Sequence, residues 1–368
     1  MTWRRWAAAA ALAGSAVSAL GQPAPQAWTM FRGAPNGGGV AAPLAPPLRK
    51  LWAQKLNGPV EATAAIVGDS AYVATMRGNV LRLRLSDGKQ VWKFACRDAF
   101  SASPALVGAR LFIGDESGLF RALDRNTGKL LWKLQTDDKI ASSATPIGDD
   151  VLFGSYDNRL MRVSQATGKV RWTFHADAQV HATPALSQGR VVTAGCDGHV
   201  RVIDAETGKQ TGSVNVGGNF ASAPAIVGGT AYVGSLDGTY LAVDLADAKI
   251  RWQVKEKESG AACFSSPAAA QGKVLFASRS ARVIAVNPAN GQALWTFRTR
   301  SQVNSSPVVA GNTVYVGSDE GILYAIDLAT GRKLWQFRAG REILSSAAIA
   351  QNRLVFGNSD GWVWCLGK

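Results

Sequence analysis

The sequence predicts an all-β fold, an eight-bladed β-propeller of four-stranded antiparallel blades, from three observations. A stretch of short apolar runs separated by turn residues recurs along the chain, and a tryptophan recurs in register with it. The two ends of the chain supply complementary parts of one further copy. A repeat of about 40 residues with four strands in each copy is the signature of a propeller.

The clearest copy of the repeat is VNSSPVVAGNTVYVGSDEGILYAIDLATGRKLWQF, residues 303–337. Its apolar runs are rich in β-branched and aromatic residues, and Gly, Asn and Asp separate them, as in strands joined by hairpins. The predicted strands, from the axis outwards, are A around Ser305–Val309, B over Thr313–Gly317, C over Ile322–Asp327 and D over Lys333–Phe337.

The tryptophan of strand D marks the period, because it recurs at intervals of 40, 40, 40, 80, 43 and 40 residues. The positions are Trp52, Trp92, Trp132, Trp172, Trp252, Trp295 and Trp335. Gly212 lies at the midpoint of the long interval, in a register-matched copy, so the repeat has eight positions. We predict that each indole packs between neighbouring blades, which removes about 150–250 Å² from water.

The chain ends predict how the ring closes. Ser346–Lys368 supplies only strands A to C of a copy, and Arg49–Leu56 is a lone strand D. A blade that draws strands from both termini leaves no open edge in the ring. Seven full copies and one split copy therefore predict a propeller over residues 49–368.

The first residues predict a cleaved secretory signal over residues 1–21. Arg4 and Arg5 precede the apolar stretch Ala7–Leu20, which is too short to span a bilayer comfortably and ends in small residues. We therefore expect a periplasmic or secreted mature protein. No cysteine follows the apolar stretch to carry a lipid anchor, and the remaining sequence offers no other segment that could cross a membrane.

Residues 22–48 are rich in Pro, Gly and Ala, which predicts an extended lead-in across one face of the disc. Within it, Trp28 and Phe31 are expected to dock into a hydrophobic seam. The formal net charge of +14 suits anionic partners such as lipid headgroups, polysaccharide or an acidic protein face, or is simply a solvated surface. We expect a monomer that does not bind nucleic acid.

Small and hydroxyl-bearing residues precede a proline at the inner strand of most copies, as in Ser101-Ala-Ser-Pro104 and Ser305-Ser-Pro307. Eight inner strands converge on one axis, so the side chains there must be small. We interpret these residues as packing elements, because a serine without His and acid partners is not a catalytic centre. The sequence therefore predicts no catalytic residue.

The sequence predicts no metal site either. His175, Asp177 and His181 are close in the sequence, but strand geometry does not obviously bring them together. The four cysteines lie in different blades without the spacing of metal ligands, which predicts free thiols. They are Cys96, Cys196, Cys263 and Cys365.

Some copies depart from the pattern, and the fourth to sixth are the least regular. Gly212 replaces the tryptophan, Asp247-Ala248 replaces Thr-Gly, and Arg84 and Ser164 replace a turn aspartate. Ser278-Arg279-Ser280 replaces a B-to-C turn that contains glycine elsewhere. An irregular arc indicates either a partner-binding rim or neutral drift.

The B-to-C and D-to-A connections of a propeller lie on one face, which we call the loop face. Charged residues concentrate in these connections and predict a partner-binding surface. The candidates are Arg97, Asp98, Asp138, Lys139, Arg298, Arg300, Arg341 and Glu342.

The pattern Ala-x-Asp-x-x-Thr-Gly-Lys-x-x-Trp, seen best from Ala325 to Trp335, resembles the pyrroloquinoline-quinone-type propeller repeat over essentially the whole mature chain. One branch of that superfamily comprises the quinoprotein alcohol and glucose dehydrogenases. The other is the non-enzymatic B subunit of the outer-membrane β-barrel assembly machine, with similar envelope propellers.

The dehydrogenase resemblance implies long insertions, a Ca²⁺ site, a catalytic Asp, a Trp floor under the quinone and often a disulfide between adjacent cysteines. Here the copies have almost no insertions, no cysteines adjoin and the inner positions hold no Trp. The second branch implies a non-enzymatic scaffold without a cofactor, although the basic charge and the missing lipid-anchor cysteine depart from it. A protein that binds pyrroloquinoline quinone with Ca²⁺, or a small quinoprotein dehydrogenase, stays open as the alternative.

Overall fold

The computed structural model describes residues 27–257 and 261–368, so the predicted signal segment 1–21 lies outside the described residues. The strands of the described residues form eight sheets, each with four antiparallel strands A to D. The four strands are consecutive in seven of the sheets, and one of these seven also carries a short parallel strand from the lead-in. The predicted fold class is confirmed. No helix in residues 27–257 or 261–368 is long and apolar enough to cross a membrane.

The blades are numbered from the first complete copy, and their strands are given in the order A to D. Blade 1 consists of Ala65–Ile66, Ser70–Ala74, Asn79–Arg84 and Gln90–Ala95, and blade 2 of Ala105–Val107, Arg110–Gly114, Leu119–Asp124 and Leu130–Gln135. Blade 3 consists of Thr145–Ile147, Asp150–Gly154, Arg159–Ser164 and Val170–His175, and blade 4 of Ala185–Ser187, Arg190–Ala194, His199–Asp204 and Gln210–Asn215. Blade 5 consists of Ala225–Val227, Thr230–Gly234, Thr239–Asp244 and Lys249–Lys255, and blade 6 of Ala268–Ala270, Lys273–Ser278, Arg282–Val286 and Ala293–Arg298. Blade 7 consists of Val308–Ala310, Thr313–Gly317, Ile322–Asp327 and Lys333–Arg338, and blade 8 of Ala348–Ala350, Arg353–Gly357, Trp362–Gly367 and Arg49–Lys55.

Blade 8 closes the ring with strands from both ends of the chain. Arg49–Lys55 pairs antiparallel with Trp362–Gly367, and Trp52 lies opposite Cys365. The predicted closure is confirmed. Cys365 is fully buried in this sheet, and the four cysteines are free thiols.

Strands B and D differ in their sequence patterns because they are buried to different extents. Thr313–Gly317, a strand B, is buried at every position because other strands cover both of its faces. Lys333–Arg338, a strand D, alternates between exposed and half-buried positions, because one face meets the next blade and the other meets solvent. Strand A is shorter than predicted. In blade 7 it begins at Val308, after Ser305-Ser-Pro307, because Ser306 donates its amide hydrogen bond to the next blade instead of to strand B.

The strand D tryptophans join blades across six of the eight junctions. The Trp52 Nε1 donates to the Leu85 carbonyl at 2.8 Å, and the ring lies so close to Gly88 that a Cβ there would come within 2.7 Å of it. The same indole–carbonyl bond joins Trp92 to Arg125, Trp132 to Gln165, Trp172 to Ala205, Trp252 to Pro288 and Trp295 to Leu328. The glycine of the C-to-D turn is therefore the contact surface for the preceding blade's indole.

Two of the departures from the repeat pattern, at Gly212 and at Ala248, belong to one structural feature. Gly212 stands where blade 4 lacks its tryptophan, and Ala248 stands where blade 5 lacks the matching glycine. Ala248 adopts a φ of 53°, and a Cβ at residue 212 would lie 2.6 Å from its Cβ. With no indole to accommodate, residue 248 can carry a methyl group.

We expect Gly212→Trp alone to lower the free energy of unfolding by about 1–3 kcal/mol, because the indole would clash with the Ala248 methyl group. The double variant Gly212→Trp/Ala248→Gly should recover that loss, since it introduces the tryptophan–glycine pair found at six other junctions. Urea unfolding of both single variants and the double variant measures the coupling, expected to exceed about 1 kcal/mol. Additive effects would show that the two positions are independent.

An aspartate organises three of the C-to-D turns. In blade 2 the Asp124 carboxylate accepts hydrogen bonds from the Thr127 hydroxyl and amide, each at 2.8 Å. Asp204 with Thr207 and Asp327 with Thr330 repeat the arrangement. The threonine hydroxyl first, and then its amide, lower the pKa of all three carboxyl groups below the usual 3.8.

These lowered pKa values predict an acid-sensitive contribution to stability. It is fully present above the usual carboxyl pKa and is lost as the pH falls through the lower pKa of the folded state. Replacing Asp124, Asp204 and Asp327 together by Asn should therefore flatten the dependence of the urea midpoint on pH below about 4. Asp149→Asn, at an exposed aspartate outside these turns, is the control and should leave that dependence unchanged.

The lead-in forms the floor of the axial channel. Trp28 exchanges two backbone hydrogen bonds with Ile66 and is 1% exposed, as the predicted docking of this side chain requires. From there the chain circles the axis, and its carbonyls accept from strand A amides of blades 2, 4, 5, 6 and 7. Val40–Ala41 then adds in parallel to Val308–Ala310. Inner strand edges that would otherwise face the channel are thus paired.

Candidate functional site

The axis of the ring contains a cavity of about 280 Å³. Phe31 of the lead-in lies at its floor, and the opposite end lies among the D-to-A connections, where Phe264 is 37% exposed. Small side chains form most of the wall. Besides Phe31 and Phe264, the residues that line the cavity are Glu61, Thr63, Ser101, Ser103, Ala141, Ser143, His181, Thr183, Ala221, Ala223, Ser266, Arg279, Asn304, Ser306, Leu344 and Ser346.

The hydroxyl groups of the wall form a belt that links neighbouring blades. In each link a backbone amide of one blade donates to the hydroxyl of the equivalent residue in the next blade, at 2.9–3.0 Å. The acceptors are Ser103, Ser143, Thr183, Ser266, Ser306 and Ser346. Ala223, which has no hydroxyl, interrupts the belt. These hydroxyl oxygens therefore accept structural hydrogen bonds between blades, which accounts for their recurrence in the repeat.

One side of the channel mouth carries a network of titratable groups. The Tyr156 hydroxyl and the His181 Nδ1 are 2.5 Å apart, and the Lys139 ammonium lies 4.4 Å from the centre of the Tyr156 ring. Lys139 also pairs with Glu116 at 3.6 Å, and Glu116 accepts from the Ser101 hydroxyl. Burial raises the pKa of Tyr156 to about 12, and burial followed by Lys139 lowers that of His181. The His181 imidazole is therefore neutral at pH 7.

The other side of the mouth carries a guanidinium held from two directions. The Arg279 Cζ lies 3.7 Å from the centre of the Phe264 ring, and its Nε donates to the Asn304 Oδ1 at 2.8 Å. Asn304 in turn donates from Nδ2 to the Asp319 carboxylate at 2.7 Å. Burial raises the pKa of Asp319, while the Asn304 hydrogen bond and the Arg279 charge oppose that shift.

The eight predicted partner-binding residues lie on one face, as the topology requires. Amides of the B-to-C turns donate to carbonyls of the D-to-A connections, for example Tyr156 to Lys139 at 2.9 Å and Asp319 to Gln302 at 2.9 Å. Arg97, Asp138, Arg298, Arg300, Arg341 and Glu342 are exposed, and Asp98 and Lys139 are half-buried.

The structure does not gather these eight residues into one cluster but spreads them around the rim. Arg298 and Arg300 share a groove of about 270 Å³ between blades 6 and 7 with Tyr324 and Arg338. Lys139 alone of the eight joins the network at the channel mouth through Glu116.

The structure separates His175, Asp177 and His181. His181 lines the cavity, whereas His175 ends an outer strand opposite Arg159. In the described part of the chain, a different group of potential metal ligands comes together, consisting of Asp177, Asp197 and His199.

A guanidinium already pairs with both carboxylates of that group. Arg201 donates from Nη2 to Asp177 at 2.6 Å and from Nη1 to Asp197 at 2.5 Å. Blade 3 repeats the arrangement with Arg159 between Asp137 and Asp157. Through Arg201, the group forms an ion-pair bridge between a D-to-A connection and a B-to-C turn.

The cavity lining does not fit pyrroloquinoline quinone with Ca²⁺ as the resemblance describes that site. Ca²⁺ needs six to eight oxygen ligands. Within residues 27–257 and 261–368, Glu61 is the only carboxylate that lines the cavity, and the Asn304 amide oxygen already accepts from Arg279. The aromatic side chains of the lining are Phe31 and Phe264, with no tryptophan.

Apart from Lys139, the sequence did not point to the residues of the channel mouth as a site. The irregular turn Ser278-Arg279-Ser280 was visible as a departure, but its place at the axis was not. His181 and Tyr156 lie 25 residues apart, and nothing in the repeat pattern marks them as partners. Arg32 was also missed. It is 1% exposed below the cavity and donates to the carbonyls of Pro267 and Pro307.

Comparison with known proteins agrees with the repeat. A protein-family model described as "Outer membrane protein assembly factor BamB" matches residues 38–173, 140–213, 156–271 and 264–366. No curated protein sequence matches the chain.

Solved structures share the fold at low sequence identity. BamB from Moraxella catarrhalis superimposes with a TM-score of 0.77 at 19% identity, over 88% of this chain and 100% of that chain. A europium-containing methanol dehydrogenase gives 0.81 at 13% identity, over 94% of this chain and 98% of that one. A quinohemoprotein alcohol dehydrogenase from Comamonas testosteroni gives 0.80 at 13% identity, over 93% and 80% of the two chains.

At these identities the superpositions establish only the propeller fold, which scaffolds and dehydrogenases share. The family model is a match to the sequence itself, and together its segments cover nearly all of the residues that the structure describes. The chain therefore belongs to the family of pyrroloquinoline-quinone-like repeat propellers described as outer membrane protein assembly factor BamB.

Proposed function

We propose that this protein is a non-enzymatic scaffold of the cell envelope that binds other envelope proteins through the loop face. The observation that carries the proposal is the match of the BamB family model along the whole propeller. The organisation of the blades supports it, because the repeats have almost no insertions and the hydroxyl oxygens at the axis accept the hydrogen bonds of the belt between blades.

The proposed location is the periplasm or the cell exterior, reached through the signal segment over residues 1–21. That segment precedes the described residues, so the proposal rests on its charged and apolar sequence. Protein partners suit the loop face, whose exposed arginines could pair with an acidic surface. Anionic polysaccharide or lipid headgroups offer the same charge and are the next candidates.

The competing function is a quinone-dependent dehydrogenase, and one titration separates the two. The mature protein is titrated with pyrroloquinoline quinone and Ca²⁺, and dye reduction is then followed with short alcohols and aldoses. We expect no turnover, because the cavity lining lacks a set of calcium ligands. Saturable quinone binding accompanied by turnover would overturn the scaffold proposal.

A further inference from the structure

Arg279 presents a prepared anion-binding group to the axial cavity. Its Nε donates a hydrogen bond to Asn304, and the Phe264 ring packs against one face of its guanidinium. Its two Nη atoms have no hydrogen-bond partner among the described residues, and the side chain lines the cavity. The two Nη atoms form a terminal fork that is left for a ligand. Such a fork can donate two parallel hydrogen bonds to one carboxylate.

The guanidinium is already ordered before any ligand arrives. Phe264 restrains its plane, and Asn304 restrains its rotation because Asn304 is itself bonded to Asp319. Binding a carboxylate would therefore lose less conformational entropy than at a free surface arginine. Asp319 contacts Arg279 only indirectly, through Asn304, so it does not occupy the fork.

Glu61 supplies the opposite charge to the same cavity. It precedes strand A of blade 1, three blades further around the ring than Arg279 of blade 6. It is half-buried and has no hydrogen bond or ion pair among the described residues. Burial, and then Glu116, raise its pKa, so a ligand cation at this position would favour its ionised form.

Most of the other side chains that line the cavity are small and uncharged. Serine, threonine and alanine side chains line it, with Phe31 at the floor. A volume of about 280 Å³ admits a small molecule and excludes a folded domain. We propose that the axial cavity binds a small zwitterion, a free amino acid or a short peptide, with its carboxylate on Arg279 and its ammonium on Glu61. This activity is independent of the scaffold role of the loop face.

Calorimetric titration of the mature protein with trialanine, its C-terminal amide and its N-acetyl derivative tests the proposal. We expect saturable binding of trialanine, and binding at least about tenfold weaker when either end of the peptide is blocked. Arg279→Gln should abolish the preference for the carboxylate over the amide. Glu61→Gln should abolish the preference for the amine over the acetyl group. A parallel titration with alanine distinguishes a free amino acid from a peptide as the better ligand.

Arg332→Gln, at an exposed arginine of the face opposite the loop face, is the matched control and should bind like the parent. Arg279→Lys keeps the charge but not the fork, and it carries the test if Arg279→Gln does not fold. We expect its preference for the carboxylate to fall at least about tenfold. The proposal is overturned if the parent shows no saturable binding at millimolar ligand, or if it binds trialanine and the amide equally.

Discussion

Replacing Trp52 by alanine is expected to lower the free energy of unfolding by about 3–5 kcal/mol. Trp52 is 8% exposed, and its indole donates to the Leu85 carbonyl while its ring covers Gly88. Truncation would leave a cavity at this junction and remove the partner of a carbonyl. Trp52 also belongs to the only strand that the N-terminal side of the chain contributes to blade 8. Urea unfolding followed by far-ultraviolet circular dichroism measures the change.

Trp335 provides the control for this prediction, because it is the same residue at the same position of strand D. The blade that follows it is blade 8, where the chain ends replace the C-to-D turn. Trp335 is half-buried and its Nε1 has no hydrogen bond in the described part of the chain. We expect Trp335→Ala to cost only about 1–2 kcal/mol. Equal costs at the two positions would contradict the role assigned to the indole–glycine contact.

Gly39→Ala is the second substitution with a large expected effect, about 3–5 kcal/mol, because it would displace a buried charge. Gly39 has a φ of +63°, and a Cβ there would lie 1.9 Å from the Arg32 Nη2. That nitrogen donates to the Pro267 and Pro307 carbonyls at 2.8 and 2.9 Å. Burial lowers the pKa of Arg32 to about 9, so the guanidinium remains charged at pH 7 and depends on these two bonds.

Gly68→Ala separates the backbone strain from the steric clash. Gly68 also has a positive φ, +52°, but an added Cβ there would meet nothing within 4 Å. We expect it to cost about 1–2 kcal/mol, the penalty of a left-handed conformation alone. Thermal and urea unfolding of both variants would show the difference. If Gly39→Ala costs no more than Gly68→Ala, Arg32 does not hold the lead-in in place.

The architecture could be predicted because each blade repeats the same local chemistry. The strand D tryptophan and the turn glycine recur at fixed places in the repeat, so one copy explains the others and shows which strand each chain end supplies to the split copy. Even the departures at Gly212 and Ala248 were visible, although their connection was not. That connection joins two blades and has no counterpart within a single repeat.

The channel mouth could not be predicted for the opposite reason. Phe264, Arg279 and Asn304 come from successive connections of an irregular arc, and Glu61 reaches the same cavity from the first blade. The lead-in carries no repeat pattern, so its path around the axis follows only from the strand A amides that it satisfies. Sites of this kind arise where residues distant in the sequence converge, and no periodicity reports that convergence.

Photo-crosslinking in the envelope tests the scaffold role of the loop face most directly. A photoreactive amino acid is placed at Gln302, an exposed position of the loop face, in cells that naturally make the protein. Two triple variants with the same change of charge are then compared. Arg97, Arg300 and Arg341 are reversed to Glu on the loop face, and Lys129, Lys209 and Arg332 are reversed to Glu on the opposite face.

We expect the parent and the opposite-face variant to yield the same discrete crosslinked partner, and the loop-face variant to lose it. Both variants must melt like the parent, so that misfolding does not mimic the loss. Retention of the crosslink by the loop-face variant, or its loss in the opposite-face variant instead, would contradict the proposed contact surface.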